Sequence, residues 1–169
     1  MNRFLFACLL VVVAAVTGFL TFTLLLDEDQ KVELAQGKPA TMSSVNGGAA
    51  AIGNDGHTYG DAQFFHTGLD DKPWWMVDLG ASYPVSGFEI HNRADCCQDR
   101  AASLVIQVSS DGKTWNEVYA NKGKAFGGEM SGDPLKVNIK EVSTRYVRVQ
   151  LPTRNYLHLA EIRVFGRPK

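Results

Sequence analysis

Strict two-residue alternation recurs along this chain, and it limits the fold more than any other feature. In "WWMVDLG", Trp75, Val77 and Leu79 fall on one face. In "VSGFEIHN", Phe88 and Ile90 alternate with Glu89 and His91. "SLVIQVSSDGKTWNEVY" reads as a strand with Leu104, Ile106 and Val108 inward, an Asp111-Gly112 turn, and a second strand from Trp115 to Tyr119. "RYVRVQLP" sets Val147, Val149 and Leu151 against Arg148 and Gln150, and "HLAEIRVFG" supplies a further strand. Successive side chains of a strand point to opposite faces, so each run has one face to bury and one to leave wet. Glycine and proline fall between the runs, where turns need them. No stretch after residue 30 keeps a helical period. Short strands between turn signals imply an all-β antiparallel sandwich or jelly roll. The region from Ala49 to His66, containing "GNDGHTYGD", reads as loop, and loops at the end of a sandwich are common binding surfaces.

The first thirty residues follow a different rule. Phe4 to Leu26 is free of charge, and 23 residues at a rise of 1.5 Å exceed the ~30 Å hydrocarbon layer. A secretory signal has a shorter apolar region and a small-residue cleavage site, and no good site is present. Arg3 precedes the span and Asp27, Glu28 and Asp29 follow it, an asymmetry that keeps the N-terminus cytoplasmic. The organisation read from sequence is a cytoplasmic stub (1–3), a transmembrane helix or uncleaved signal (4–26), a juncture (27–33) and a folded domain (34–169). Either form of the N-terminal segment places the domain on the extracytoplasmic side. Net charge is −1, and removing the −2 of the first thirty residues leaves +1 for the rest. Such a surface offers no basic field for nucleic acid.

Compartment bears on the cysteines. There are three, and Cys8 lies in the apolar run while Cys96 and Cys97 adjoin in "HNRADCCQDR". Outside the cytoplasm thiols oxidise, which leaves these two each other or another molecule. An unbonded buried pair or a pair of metal ligands are the other readings. Zinc needs about four ligands, and His91 is the one obvious helper.

Taken together, "LAQGKPATMSS", "PWWMVDLG" and "LHLAEIRVFG" resemble the opening, central and last strands of the discoidin (coagulation-factor C-type) superfamily. That resemblance runs from about Leu34 to Gly166 and implies a galactose-binding-like jelly roll. A narrower one lies inside it. His66, an interval of 26 residues, then Arg93-x-Asp95 and, after four more, Arg100 is similar to the pattern of the fucose-binding F-type lectins. It implies that His66, Arg93 and Arg100 bind the sugar, with Asp95 supporting an arginine. It also implies that Cys96 and Cys97 form a disulfide in the floor of the site. A structural Ca2+ is implied as cofactor, held by the side chains of Asp55 (or Asn54) and Glu161 and by carbonyls such as that of His57. Two departures stand out: Phe64 and Ala160 occupy positions where family members often carry a bonded cysteine pair, and the loop before His66 is shorter.

The residue chemistry agrees with that implication. A pyranose offers hydroxyls, each both donor and acceptor, over patches of C–H. Arginine brings planar, permanent donors, and neutral histidine donates at one nitrogen and accepts at the other. Arg93 and Arg100 are seven apart, no strand period, so a tight loop is required to bring them together. Neighbouring cysteines close almost no chain when bonded, so their bridge adds little stability and serves better as a rigid apolar knob. A non-enzymatic lectin facing outward and binding terminal fucose or a similar sugar is the leading reading. A discoidin-like adhesion module binding protein or phospholipid is the alternative, and it wants apolar loop tips where this sequence shows Gly, Asp and His. A hydrolase would want paired carboxylates or an activated nucleophile, and Asp95 and Asp99 read instead as partners of the arginines.

Overall fold

The computed structural model describes residues 31–59, 63–128 and 132–168. The expected stub and span at 1–3 and 4–26 lie outside the described residues, as does most of the juncture. Among the described residues no helix is long and apolar enough to cross a membrane.

The alternating runs become strands. They are β1 (Val32–Glu33), β2 (Ala40–Met42), β3 (Phe65–His66), β4 (Trp74–His91), β5 (Val105–Ser109), β6 (Asn116–Ala120), β7 (Leu135–Gln150), β8 (His158–Leu159) and β9 (Glu161–Gly166). Two short 3₁₀ turns, Ala50–Asn54 and Gln98–Ser103, are the helical elements among the described residues. All pairings are antiparallel.

β4 and β7 are long enough to serve two layers. The first half of β4 pairs with β2 through Trp75–Val77, and with the second half of β7, which carries β5 and then β6. The second half of β4 pairs with β9, which carries β1, and with the first half of β7. Register breaks between Asp78 and Tyr83, where Gly80 takes φ +84° and Arg145 grips the Asp78 carboxylate at 2.8 Å. The result is an antiparallel sandwich.

A second break explains how two alternating runs of opposite phase share one core. Trp75, Val77 and Leu79 are buried at odd positions, Phe88 and Ile90 at even ones. Between them, Val85 and Gly87 of β4 face the consecutive residues Gly166 and Phe165 of β9. One extra residue, Ser86, is a β-bulge, and it switches which face the following side chains take. Trp75, Phe88, Ile90, Ile106, Val147, Val149, Ile162 and Val164 then join one buried cluster.

Four expectations need correction. Ala49–His66 is not all loop: it contains the first 3₁₀ turn, fixed where Trp75 Nε1 donates to Ala50 O at 2.8 Å, and then β3. β6 begins at Asn116 rather than Trp115, whose ring instead lies under the Arg148 guanidinium at 4.1 Å. The last strand is two, split at Ala160, with β8 pairing β3 in a separate two-stranded ribbon. His91 does not face water. It is 5% exposed and bonded to Glu89 at 2.8 Å, and Asn92 beside it is tied to Gly127.

Candidate functional site

The β3–β8 ribbon organises the site. Its register sets Phe65 opposite Leu159 and His66 opposite His158. Phe65 and Leu159 are fully buried in the core, so the alternate positions present the other face. There Phe64, His66, Tyr156 and His158 gather: His66 lies 5.5 Å from Tyr156 and 5.3 Å from His158, and Phe64 lies 6.4 Å from His158.

Both arginines arrive on that face. The Arg93 guanidinium stacks 4.0 Å from the centre of Phe64, and that of Arg100 lies 5.1 Å from the centre of Tyr156. The loop joining them is tight: Gln98 Nε2 donates to the carbonyls of Arg93 and Ala94, and the second 3₁₀ turn, carrying Arg100, starts immediately after Cys97. Cys97 has φ +63°, an uncommon left-handed backbone for a side chain other than glycine's. Cys96 and Cys97 are bonded to each other. The seven-residue interval thus turns back on itself, as convergence requires.

The two arginines are not equivalent. Arg93 is 9% exposed and donates from Nε and Nη2 to the two Asp95 oxygens, each at 2.6 Å. That clamp holds the Asp95 carboxyl down to about 2. Arg100 is half-buried and has no carboxylate partner among the described residues, so its donors are available. His66 is half-buried, and its Nδ1 lies 2.6 Å from the Thr67 carbonyl. A carbonyl only accepts, which assigns the proton to Nδ1 and leaves Nε2 as a lone-pair acceptor in the neutral ring. The face therefore offers guanidinium donors and one imidazole acceptor side by side, complementary to a hydroxyl that donates to nitrogen and accepts at oxygen.

Tyr156, His158 and Phe64 escaped the sequence reading as site residues. The alternation in "NYLHLAE" does set Tyr156 and His158 opposite Leu157 and Leu159, but nothing local says that this face meets His66. His158 is 1% exposed, and burial, then the positive charges of Arg93, His66 and Arg100, push its imidazole down to about 3.

The expected metal residues meet on the other side of Ala160. Glu161 is 1% exposed; the Gly56 amide donates to its Oε1 at 3.1 Å, while Oε2 is buried without a partner. Burial pushes this carboxyl up to about 8, and the nearby Asp55 charge adds to the effect. Asn54 is likewise buried, giving both Nδ2 hydrogens to the carbonyls of Ala35 and Lys38 and leaving Oδ1 unpaired. Asp55 Oδ1 accepts from the His57 amide at 2.8 Å. Among the described residues no three His, Cys, Asp or Glu side chains gather into a metal-holding group. Two orphaned buried oxygens beside a carboxylate nevertheless suit a hard cation, which takes many carbonyl ligands.

The loop tips are less polar than the sequence suggests. Val45 is 72% exposed and Leu69 46%. They flank the His66 strand: Asn46 N donates to His66 O, and Gly68 N donates to Ser44 Oγ.

Three comparisons place this geometry among known proteins. Residues 53–149 match the model of the F5/F8 type C family described as NedA-like, galactose-binding domain. Fucolectin-6 of Anguilla japonica is 31% identical over 115 residues, covering 68% of this chain and 60% of its own. Pentraxin fusion protein of Xenopus laevis is 32% identical over 111 residues, 65% of this chain and 26% of its own. The chain thus spans less than two thirds of either relative. Among solved structures, a Streptococcus pneumoniae fucose binding module superposes with a TM-score of 0.68 at 31% identity, over 82% of this chain and 98% of that one.

Proposed function

Because the chain belongs to the F5/F8 type C family, and within it is an F-type lectin domain, we propose that it binds a terminal fucose or a similar sugar reversibly and performs no chemistry on it. The observation that carries this reading is the convergence of Arg93, Arg100 and His66 on one aromatic ribbon face. In this reading a sugar hydroxyl donates to His66 Nε2 while its oxygen accepts from a guanidinium. Asp95 occupies one edge of Arg93, so the Nη1 side turns to the ligand, and Arg100 contributes donors that are free of any carboxylate. Phe64 and Tyr156 fix the guanidinium planes by stacking. The Cys96–Cys97 bridge supplies a rigid sulfur surface for the C–H side of the ring.

We further propose a structural Ca2+ held by Glu161, Asp55 and the His57 carbonyl, with Asn54 Oδ1 as an additional donor. A divalent ion there supplies positive charge that ionises Glu161 and ties the 54–57 loop to β9. Residues 4–26 are proposed to anchor the domain to a membrane, facing outward. Exposed Val45 and Leu69 favour one second reading, a non-enzymatic adhesion module for protein or phospholipid.

One experiment separates these readings. The chain is tested on a glycan array and on phosphatidylcholine/phosphatidylserine vesicles, with and without a calcium chelator. Fucosylated glycans should be retained, and Arg100→Ala should abolish retention. Retention on vesicles with no glycan bound would favour the adhesion reading instead.

A further inference from the structure

His158 is a costly residue with no structural use in the fold. It is 1% exposed, and neither ring nitrogen has a hydrogen-bond partner among the described residues. A buried polar group without a partner costs about 1–3 kcal/mol, and such a group in a native protein calls for an explanation. Its neighbours on β8, Leu157 and Leu159, show that an apolar side chain fits this strand. An apolar residue at 158 would remove the cost.

Its position supplies the explanation. His158 is the cross-strand partner of His66, their rings 5.3 Å apart, and it packs edge-on against Phe64 at 6.4 Å. Arg93 stacks on the other contact of that Phe64, and Arg93 and Arg100 are both close enough to act on the His158 ring. With two guanidiniums beside it the imidazole stays neutral, holding one N–H and one lone pair. A neutral imidazole is one of the few side chains able to exchange two hydrogen bonds with a hydroxyl network without adding a further positive charge.

We propose that His158 is a further ligand-binding residue of this site, its two unpartnered ring nitrogens exchanging hydrogen bonds with the deepest hydroxyl of the bound sugar, directly or through one ordered water. This rests on the sugar-binding reading above. The free protein carries the desolvation cost of His158, and the ligand relieves it, which makes the site less stable empty than filled.

The test uses the full chain in detergent, with fucose as the probe, and compares wild type with His158→Leu and His158→Gln. His158→Leu removes the orphaned nitrogens at similar volume. Its melting temperature should equal or exceed that of the wild type, while fucose affinity falls about tenfold. His158→Gln, which restores a donor and an acceptor, should recover most of that loss. Wild-type affinity in a folded His158→Leu would overturn the proposal. So would equal losses in Leu and Gln variants accompanied by a lowered melting temperature in both, which would mark a packing role. Absence of fucose binding by the wild type itself is read separately in the same titration, and it removes the sugar reading together with this one.

Discussion

Arg93 and Arg100 share a residue type but differ in how they are held. Arg93 is buried, stacked and doubly bonded to Asp95, whereas Arg100 is stacked alone. Asp95 therefore acts through Arg93. Asp95→Asn keeps the size but loses one charge-assisted bond, and we expect fucose affinity to fall about tenfold by calorimetry with the melting temperature little changed. The small stability effect follows from exposure, since the Asp95 side chain is 44% exposed. His158 gives the opposite case, a buried group whose titration is a stability statement. Its pKa drops from 6.5 to about 3 on folding. Between those values the unfolded chain binds a proton that the folded one refuses, so stability is intact above pH 6.5 and declines as pH falls towards 3. The slope from this residue is up to about 1.4 kcal/mol per pH unit. Urea unfolding at a series of pH values should show a shallower acid decline in His158→Leu.

At the scale of elements, the first 3₁₀ turn is fitted to the core with no space to spare. A Cβ on Gly53 would lie 2.7 Å from Trp75 Nε1 and 2.8 Å from Phe65 Cδ1. Gly53→Ala must therefore push the turn away from Trp75, loosening the Trp75–Ala50 bond and moving Asn54 and Asp55 with it. We expect a loss of about 1–3 kcal/mol in chemical denaturation and weaker calcium protection of the melting temperature. The disulfide element behaves differently. Cys96 and Cys97 are adjacent, with Cα atoms 3.8 Å apart, and their bond restricts almost no unfolded chain. Reduction should leave the unfolding midpoint nearly unchanged yet lower glycan affinity. Unchanged affinity would show that the sulfur knob does not touch the sugar.

At the scale of the whole molecule, a domain of net charge near zero binding a neutral sugar gains nothing from long-range attraction. Fucose affinity should be insensitive to added salt, whereas attachment to anionic vesicles under the adhesion reading would weaken. Calcium is expected to raise the melting temperature and a chelator to reverse it. Glu161→Gln should remove the response, because the amide cannot supply the charge. Alkaline extraction of membranes tests residues 4–26, and release of the chain to the soluble fraction would refute the anchor.

The amino-acid pattern alone determines which residues of each strand face the core, because side-chain direction alternates with every peptide unit. Trp75, Val77, Ile106, Val149 and their neighbours are buried as read. It also determines the chemical types and intervals of His66, Arg93, Asp95 and Arg100, and the adjacency that leaves Cys96 and Cys97 bonded to each other. Alternation names a face and never a partner strand. Only packing across the sandwich decided that β3 pairs with β8, and with that pairing Tyr156 and His158 entered the site from the far end of the chain. The bulge at Ser86 is of the same kind, since one extra residue in a strand has no local signature and is selected by what its neighbours must bury.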